Sequence, residues 1–600
     1  MHPLLRPPLD PKQILRKKKS ILQTLRSADV PRLRKRIAIL GGSTTQELTS
    51  LLELFLLDAE ISPTFYESPY GLYYETALFS EDLKTFSPDL IYIHTSQRNI
   101  RRSPSITATP AEAEKQLDEE YSRYAAMWDH LRARYQCPIV QNNFEYPFSR
   151  PLGNRDGWDH RGRTHYIRQL NERFAAYART HTDFYINDLC WLSADYGLRR
   201  WSDPVYWHLY KYCCCPEAFP ILAGNVAGII RSIWGRSKKG VVLDLDNTLW
   251  GGLAGEDGPS ALALGPETAE GQLYQEFQTY LLSLKNRGIL LTVDSKNDLS
   301  NALAGLNHPS SVLRPEDFAC IRANWEPKDR NFTDIAAELG VLPESLVFLD
   351  DNPAERAIVT ACCPGVEAPP MDAPENYLAI LDRSGFFEPA ALSDDDLQRS
   401  EMIRANAVRT RQQEQFTNYQ DYLLSLEMQA EIKPFVPADL SRIAQLTNKS
   451  NQFNLTTRRY SETELRRFSE DPDYITLCGR LSDRFGDNGI VSVVVGERKG
   501  DAVEIILWLM SCRVLKRDLE RAMLDALVRR AQRAGAVCLR GFYIRTEKNG
   551  MVRELYRDLG FTFIRADGTD TVWELPLSNY EKRNHVIQMI EEKQQHGTDF

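Results

Sequence analysis

The sequence of 600 residues lacks the features that mark secreted, zinc-binding and membrane proteins. Its 11 cysteines are odd in number and no two of them form a C-x-x-C pair, which argues against a disulfide framework or a zinc site. The contiguous cysteines Cys213–Cys215 and Cys362–Cys363 are expected to be small buried apolar residues. No apolar run approaches about 18 residues and the N-terminus does not resemble a signal peptide, so we expect no membrane contact and a cytoplasmic protein.

A strong excess of charge of one sign is also missing. Lys and Arg number 73, Asp and Glu number 82, and the formal net charge is −9. Because the two signs are well mixed along the chain, we expect no nucleic-acid partner. The hydrophobic share of 42% and the charged share of 26% are those of ordinary globular proteins. A chain of this length is too long for one core and predicts about two to four domains.

The alternation of strand-like and helix-like segments predicts a multidomain α/β protein. Residues 1–237 are predicted to be an α/β domain, and residues 238–385 a second, Rossmann-like one with a parallel sheet. Residues 386–427 are predicted to be a linker, in which the charged segment Ser393–Gln415 is a connecting helix or an extended link. Residues 428–600 are predicted to be an α+β domain.

The clearest individual elements follow from the period of their apolar residues. Buried strands are predicted at Ile37–Leu40, Asp89–Ile93, Pro138–Val140, Val241–Leu245, Ile289–Val293, Ala319–Ile321, Leu346–Leu349, Gly489–Gly496 and Val503–Met510. Amphipathic helices are predicted up to Leu57 and at Ala111–Tyr135, Gln272–Lys285 and Arg517–Ala534.

The most informative segment is the predicted strand Val241–Leu245, which ends in carboxylates. Open α/β sheets bind their ligands at the carboxyl ends of such strands. Asp244 and Asp246 point to the same side of an extended chain, because side chains alternate with period two. Two carboxylates that close repel each other, and a Mg²⁺ ion between them removes the repulsion. One carboxylate can then attack phosphorus while the other carries a proton, so the segment predicts phosphoryl chemistry.

Three further signals follow in order along the same region. Ser295 comes shortly after the strand Ile289–Val293, where its hydroxyl can bind a phosphoryl oxygen. Lys328 is placed near a helix start and can neutralise a phosphoryl group. Asp350 and Asp351 follow another strand and would complete a metal site. The alternative for each signal taken singly is a helix cap or a solvated turn.

Together these motifs resemble the haloacid dehalogenase (HAD) superfamily of phosphotransferases. The resemblance implies that Asp244 is the nucleophile and Asp246 the general acid/base, and that Ser295 and Lys328 complete the catalytic set. It implies Mg²⁺ as cofactor, held by Asp244, Asp246, Asp350 and Asp351. The residues expected to contact the substrate are Thr248, Trp250, Lys296, Asn297 and Asn324.

Longer motifs are similar to the FkbH-like branch of that superfamily, over most of residues 238–580. They are Asn247–Gly252, Asp294–Asp298, Arg322–Trp325, Phe348–Glu355, Asn448–Asn454, Asp483–Gly489, Ser511–Val514 and Asn549–Phe561. The resemblance implies an enzyme that removes phosphate from a small acyl donor of the glyceryl, 1,3-bisphosphoglycerate-like type. The acyl group would be loaded onto the phosphopantetheine arm of an acyl carrier protein in specialised, polyketide-type biosynthesis. A plain HAD phosphatase without acyl loading is the alternative.

One position departs from the FkbH-like pattern. Proteins of that branch typically have a cysteine just before the motif serine, as a candidate acyl-holding thiol, and this chain has Asp294 before Ser295. A carboxylate cannot form a thioester. Transfer would therefore go directly to the carrier thiol, use another cysteine, or be absent. Asp294 alternatively caps the helix that follows.

The C-terminal region resembles the GNAT-type N-acyltransferase fold. In that fold a strand leads through a glycine-rich turn to a helix N-terminus that binds a pyrophosphate. Lys516 and Asp518 stand where glycines are expected, and their side chains would crowd such a ligand. The residues implied in carrier or acyl binding are Arg513, Asn549 and Tyr556, the last of which is alternatively a packed aromatic. Acyl transfer and carrier docking both stay open for this region.

The N-terminal region resembles the SGNH hydrolases at one turn. Gly41-Gly42-Ser43 follows a predicted strand, at the place where that family has its nucleophile turn. The family usually has an aspartate where this chain has Gly42. The later Asp203 and His208 have the wrong spacing for the family's acid–base pair. Ser43 is therefore expected to be a helix cap or an oxyanion binder. We expect His94 and His208 to be structural histidines.

Overall fold

The computed structural model describes residues 2–392, 409, 416, 418–450, 452–546 and 548–590. It divides into two compact units, of which the first joins Met1–Ser237 to Leu381–Ala390 and the second joins Lys238–Ile380 to Ala391–Phe600. Apart from Arg409, the predicted connecting segment Ser393–Gln415 lies outside the described residues. The predicted domain boundaries stay a prediction.

The first unit is built around a parallel sheet of five strands in the order β2-β1-β3-β4-β5. Its strands are β1 (Leu33–Gly41), β2 (Ile61–Glu67), β3 (Leu90–His94), β4 (Ile139–Asn142) and β5 (Phe184–Asn187). Its helices are α1 (Pro11–Ser27), α2 (Gln46–Asp58), α3 (Tyr73–Phe79), α4 (Glu81–Phe86), α5 (Pro110–Tyr135), α6 (Arg163–Thr180), α7 (Leu189–Tyr196), α8 (Leu198–Trp201), α9 (Pro204–Tyr210) and α10 (Phe219–Ile233).

The local sequence explains the longest helix and the central strands of this unit. Thr109 and Glu112 form a reciprocal capping box at the start of α5, with Pro110 as its first residue, and both features favour helix initiation. Ile37–Leu40 in β1 and Leu90–Ile93 in β3 are fully buried, as expected for strands of a sheet covered on both faces. The strand order reverses between β1 and β3, which defines the switch point of this sheet.

The second unit begins with a parallel sheet of four strands in the order β8-β7-β6-β9. These strands are β6 (Gly240–Leu243), β7 (Leu290–Ser295), β8 (Cys320–Ala323) and β9 (Leu346–Leu349). The helices of this part are α11 (Ala269–Asn286), α12 (Leu299–Leu306), α13 (Lys328–Glu338), α14 (Pro353–Cys362) and α15 (Pro374–Asp382). Phe332 and Ile335 of α13 pack with Phe348 of β9 in one buried cluster, which fixes the start of α13 beside the sheet.

The rest of the second unit is a mostly antiparallel sheet in the order β15-β16-β14-β13-β12-β11-β10-β17. Its strands are β10 (Gln429–Lys433), β11 (Tyr474–Asp483), β12 (Gly486–Lys499), β13 (Ala502–Met510), β14 (Cys538–Tyr543), β15 (Thr562–Asp567), β16 (Asp570–Pro576) and β17 (Gln588–Met589). Its helices are α16 (Tyr419–Ser425), α17 (Leu440–Lys449), α18 (Glu462–Glu470), α19 (Leu519–Arg533) and α20 (Leu555–Asp558). Tyr422 and Leu423 of α16 belong to its core, so this core begins ahead of the predicted start at Met428.

The predicted fold class is confirmed, since parallel sheets are followed by an α+β region in one multidomain chain. The strand β6 ends at Leu243, two residues before its predicted end. The reason is local, because Thr248 N–H and Leu249 N–H both donate to Leu245 O and so close a turn. None of the helices in the described ranges combines the length and apolarity needed to cross a bilayer.

Candidate active site

Three carboxylates meet at the carboxyl ends of two neighbouring strands. Asp244 follows β6, whereas Asp350 and Asp351 follow β9, which is paired with β6 in parallel register. The backbone N–H of Asp244 donates to Leu349 O at 2.9 Å and continues that register. One oxygen from each of the three carboxylates lies within 4.8 Å of the others. Such an all-oxygen set fits the ligand preference of Mg²⁺.

A buried lysine neutralises part of this cluster. Lys328 is the first residue of α13 and is 3% exposed. Its Nζ lies 2.8 Å from Asp244 Oδ1 and 2.5 Å from Asp350 Oδ2. One ammonium group thus joins the ends of β6 and β9, and two carboxylates share a single positive charge.

The electrostatics of the cluster favour a further cation. Burial raises the pKa of Asp244 and of Asp350, although Lys328 acts in the opposite direction on both. Burial and the neighbouring charge of Asp350 also raise the pKa of Asp351. Burial lowers the pKa of Lys328, but the charges of Asp244 and Asp350 outweigh it and hold that pKa above its usual range. A divalent cation among the three carboxylates would favour their ionised forms.

Asp246 is held apart from the three-carboxylate group. Its Oδ1 accepts from Trp250 Nε1 at 2.9 Å and from Ala254 N at 3.0 Å. Its Oδ2 accepts from Asn297 Nδ2 at 3.1 Å. The side chain is half-buried. Among the described residues, the carboxylates that come close enough together to share a metal ion are those of Asp244, Asp350 and Asp351, without Asp246. The predicted role of its side chain as a metal ligand is therefore not supported, while its fixed orientation suits a group that transfers protons.

Trp250 and Thr248, which were predicted to contact substrate, support the carboxylates in this structure. Trp250 is fully buried and its indole N–H is used by Asp246. Thr248 is also fully buried, and its Oγ1 accepts from the backbone N–H of Asp351 at 3.3 Å. Trp250 thus orients the side chain of Asp246 and Thr248 holds the backbone of Asp351, so direct substrate contact is not supported for them.

The other predicted substrate contacts lie after β7 and β8. Ser295 is the last residue of β7, is buried, and donates a hydrogen bond that lowers the pKa of Asp244. Lys296 is 41% exposed and pairs with Glu355 at 2.5 Å. Asn324 uses its Oδ1 to accept from Asn331 Nδ2 at 2.9 Å. Ser295 is thus brought to the nucleophile, whereas Lys296 and Asn324 are bound to protein partners.

Asp294 is a fourth buried acid beside the site. It is fully buried in β7, and Asn331 Nδ2 donates to its Oδ1 at 3.1 Å. Its Oδ2 is buried without a hydrogen-bond partner among the described residues. Burial raises the pKa of Asp294 to about 7. The alternative of a helix cap is wrong, because α12 begins after Asp298 and no hydrogen bond joins Asp294 to its first turn.

Sequence analysis missed Asn331 and Glu355, which bind Asp294 and Lys296. Helical spacing gives a signal for Asn331, because it lies three residues after Lys328 and therefore on the same face of α13. Glu355 gave no such signal, since its contact with Lys296 joins segments that are distant in the sequence.

Two comparisons with known proteins found similar sequences or structures. The solved N-terminal part of protein BF1531 from Bacteroides fragilis, described as containing a phosphatase domain complexed with Mg, is 28% identical with a TM-score of 0.58. The match covers 62% of this chain and 99% of that chain. A family model described as the FkbH N-terminal domain matches residues 36–231. The chain is thus similar to FkbH-like proteins in its N-terminal part.

Further solved structures match the C-terminal region of this chain. The ribosomal-protein-S18-alanine N-acetyltransferase of Escherichia coli is 15% identical with a TM-score of 0.20, over 26% of this chain and 99% of that chain. The PaiA N-acetyltransferase of Thermoplasma acidophilum is 16% identical with a TM-score of 0.19, over 24% and 98% respectively. No curated protein matches the chain.

The residues predicted for acyl or carrier binding are mostly internal. Asn549 is fully buried. Its Oδ1 accepts hydrogen bonds from the Tyr543 hydroxyl and a backbone N–H, and its Nδ2 donates to two backbone carbonyls. Tyr556 is fully buried in the core, and burial raises the pKa of its phenol far above the usual range. Arg513 is half-buried in a short turn after β13. The packed-aromatic alternative for Tyr556 is thus favoured, and carrier docking stays a prediction.

The turn before α19 has glycine-like backbone geometry without glycine. Lys516 has φ of 63° and Asp518 has φ of 59°, both in the left-handed region that favours glycine. Between them Arg517 is buried, with its guanidinium 3.1 Å from Asp483 Oδ2, and Arg409 lies 2.6 Å from Asp483 Oδ1. Burial lowers the pKa of Arg517 to about 10. The two positions where the resemblance leads one to expect glycine thus have left-handed backbone, although the residues there are Lys516 and Asp518.

Ser43, His94 and His208 of the first unit differ in their surroundings. Ser43 does not cap α2, because Thr45 stands at the N-cap of that helix, so the predicted cap role is wrong. His208 is exposed on α9. His94 is fully buried at the end of β3 and contacts Cys213, with 3.4 Å between Nε2 and Sγ. The buried environment expected for the contiguous cysteines is confirmed for Cys213–Cys215 and Cys363. It is wrong for Cys362, which is exposed on the last turn of α14.

Proposed function

We propose that this chain is a Mg²⁺-dependent HAD-type phosphatase that acts on a small phosphorylated acyl donor. The observation that carries the proposal is the meeting of Asp244, Asp350 and Asp351 beside Lys328 at the ends of β6 and β9. When bound, Mg²⁺ would be held by these carboxylates and would offset negative charge on the phosphoryl group. The BF1531 structure, with its phosphatase domain and Mg, supports the same reaction class.

The residues of this chain divide the work of phosphoryl transfer. Asp244 attacks phosphorus, so that an O–P bond to its carboxylate forms as the bond to the leaving oxygen breaks. Asp246, oriented by Trp250 and Asn297, gives its proton to the leaving oxygen and then takes one from the attacking water. Lys328 and Ser295 stabilise the negative charge that develops on the phosphoryl oxygens. Water releases phosphate and restores the carboxylate of Asp244.

We propose further that the phosphopantetheine thiolate of an acyl carrier protein attacks the carbonyl carbon of the donor's acyl phosphate. The carbon–sulfur bond of a glyceryl-type thioester forms as phosphate leaves that carbon, and Asp244 removes the donor's second phosphate. The long FkbH-like motifs support this step. Asp294 stands where the branch has an acyl-holding cysteine and cannot form a thioester, so the transfer goes directly to the carrier thiol. The second candidate, which the buried carboxylate of Asp294 favours, is a phosphatase without an acyl step.

Intact mass of the carrier protein separates the two candidates. Holo carrier protein is incubated with the enzyme, Mg²⁺ and a glyceryl phosphate donor, while released phosphate is measured in parallel. A glyceryl mass gain that disappears in Asp244→Asn establishes loading, whereas phosphate release with unmodified carrier establishes the plain phosphatase. Full phosphate release by Asp244→Asn would refute both. The exposed Asp334 of α13 supplies the control Asp334→Asn, which should retain activity.

A further inference from the structure

The switch point of the first sheet gathers a second group of reactive side chains. Ser43 lies two residues beyond the end of β1, and His94 is the last residue of β3. These are the strands between which the order of the sheet reverses, where open parallel sheets bind ligands. Cys213 joins them from the segment after α9. The three residues are at most 3% exposed.

The thiol and the imidazole are in direct contact. Cys213 Sγ lies 3.4 Å from His94 Nε2, within the range of a hydrogen bond to sulfur. The Ser43 hydroxyl is a third member of the group, because Gly42 N donates to His94 O at 2.9 Å and so places Ser43 beside that histidine. Its Oγ is buried and has no hydrogen-bond partner among the described residues. A buried hydroxyl of this kind is free to donate to a ligand oxygen.

The network behind His94 fixes which ring nitrogen carries the proton. Asn142 Nδ2 lies 3.1 Å from His94 Nδ1 and also donates to Thr95 O, while its Oδ1 accepts from Tyr92 and Asn187. The bonds to Thr95, Tyr92 and Asn187 orient the amide so that its N–H points at Nδ1, which accepts it. The Tyr92 hydroxyl lies 3.1 Å from the same nitrogen. The proton of the neutral ring consequently lies on Nε2 and faces the sulfur. Such a donor stabilises a thiolate.

The electrostatics of the thiol agree with this geometry. A hydrogen bond from Cys214 holds the pKa of Cys213 well below its usual range despite burial, and His94 and Ser43 act in the same direction. Burial raises the pKa of Cys190 to about 11 and that of Cys478 to about 12. Burial, and next the charge of Cys213, raise the pKa of Glu145 to about 8. Cys213 thus differs from other buried cysteines of the chain in favouring the nucleophilic form.

We propose that Cys213, beside His94 and Ser43, is a nucleophile that exchanges acyl groups with small acyl thioesters. The thiolate attacks the carbonyl carbon, whose oxygen receives a hydrogen bond from Ser43 Oγ. The new carbon–sulfur bond forms as that of the donor breaks, and the electron pair leaves with the donor's sulfur as a thiolate. A second thiolate reverses the step and restores Cys213, so no oxidant or further co-reactant is needed.

The state of His94 selects thioesters over amides. An amine leaving group needs a proton, and a ring whose Nδ1 already accepts from Asn142 has no second proton to give. A thiolate leaves without one, because its conjugate acid has a pKa of about 8.5. Thr44 holds the chain ahead of Cys213 through bonds from its N to Lys211 O and from its Oγ1 to Tyr210 O.

Acyl labelling of the full-length protein tests the proposal. The protein is incubated with the acetyl thioester of N-acetylcysteamine, digested, and mapped by mass spectrometry. We expect acetyl on Cys213 at roughly ten times or more the level on Cys478, and its loss in Cys213→Ser. Cys190→Ser is the matched control and should leave the label on Cys213 unchanged. Equal labelling of Cys213 and Cys478, or none on Cys213, would overturn the proposal.

The pH profile of alkylation separates activation from simple exposure. Iodoacetamide should modify Cys213 at about pH 6, where ordinary thiols are protonated, and His94→Gln should move the midpoint to higher pH. If that variant does not fold, Ser43→Ala should shift the midpoint in the same direction by a smaller amount. An unchanged midpoint in a folded variant would contradict the role of these residues. Asp244→Asn should leave the label in place, which keeps this site distinguishable from phosphoryl chemistry.

Discussion

The four-stranded sheet of the second unit and the five-stranded sheet of the first unit both have a point where the strand order reverses, and they carry different side chains there. In each, one strand lies between parallel neighbours, and polar side chains follow its carboxyl end. After β6 and β9 the side chains are carboxylates around one lysine, which leaves negative charge for a metal ion. At the ends of β1 and β3 they are the hydroxyl of Ser43 and the imidazole of His94, which the thiol of Cys213 joins from the segment after α9. Strand order therefore sets where a site lies, and the residues after the strands set what it can do.

Removal of divalent cations should produce the largest difference between the two sites. Phosphate release should fall by at least about a thousandfold in a chelator, because the carboxylates alone repel an anionic substrate. Added Mg²⁺ should restore it. Acetyl labelling of Cys213 should be the same in both buffers. A chelator effect on labelling of Cys213 would break the distinction between a metal site and a thiol site.

Asp246→Asn should reduce turnover next most strongly, by about a hundredfold or more on an alkyl phosphate. The loss should be smaller on p-nitrophenyl phosphate, because its leaving group departs without a proton. Steady-state phosphate release on both substrates measures the ratio. Equal losses on the two substrates would show that Asp246 does not protonate the leaving oxygen. Trp250→Phe removes only the indole N–H that orients Asp246 and should cost about tenfold.

Lys328→Met should lower stability by about 3–5 kcal/mol in metal-free buffer, since it leaves Asp244 and Asp350 buried without their counter-charge. Saturating Mg²⁺ should recover much of that loss. Urea unfolding with and without Mg²⁺ gives the two values. Lys296→Met is the matched control, because the side chain of Lys296 is 41% exposed in its ion pair with Glu355. Loss of this pair should cost less than about 1 kcal/mol of stability.

Asp294 predicts a pH dependence of stability. Burial raises its pKa from 3.8 to about 7 in the folded protein, so the folded state holds a proton that the unfolded state has lost. Stability should therefore fall as the pH rises from about 4 to about 7, by at most about 4 kcal/mol. Asp294→Asn should remove this part of the pH profile in urea unfolding. An identical profile in the variant would show that Asp294 is ionised at neutral pH.

The smallest expected effect concerns the network behind His94. Tyr92→Phe removes a buried hydroxyl that donates to Asn142 Oδ1 at 3.0 Å and lies 3.1 Å from His94 Nδ1, which should cost about 1 kcal/mol of stability. Asn142 Oδ1 keeps its bond from Asn187, so His94 should keep its tautomer and Cys213 its label. Tyr66→Phe, whose hydroxyl lies 3.2 Å from Ser80 Oγ in a half-buried site, is the control and should cost less. A loss of the label in Tyr92→Phe would assign the ring orientation to Tyr92 instead.

Local sequence was sufficient to predict the parts of the site that lie at the ends of strands. Asp244, Asp350 and Asp351 were predicted to meet because each follows a buried apolar run, and the parallel pairing of β6 with β9 brings them together. Helix starts such as Pro110 after Thr109 were equally readable. These features depend on residues within a few positions of one another.

Contacts between distant segments could not be read in that way. Trp250 was expected at the substrate and instead donates to Asp246 from a buried position, because packing around α12 encloses its ring. Cys213 meets His94 although 119 positions separate them. Neither spacing nor periodicity carries information on such pairs, and both decide the chemistry of their sites.

The turn at Lys516 and Asp518 is held in shape from outside itself. Left-handed backbone costs non-glycine residues roughly 1–2 kcal/mol each, and these two positions flank Arg517, whose guanidinium is bound to Asp483 of β11. That ion pair works as an anchor for a strained segment. Cutting it at Asp483 would let residues 516–518 relax toward ordinary right-handed geometry and loosen the entry to α19, while the sheet itself keeps its pairing. The conformation of this turn is thus governed by a neighbouring strand.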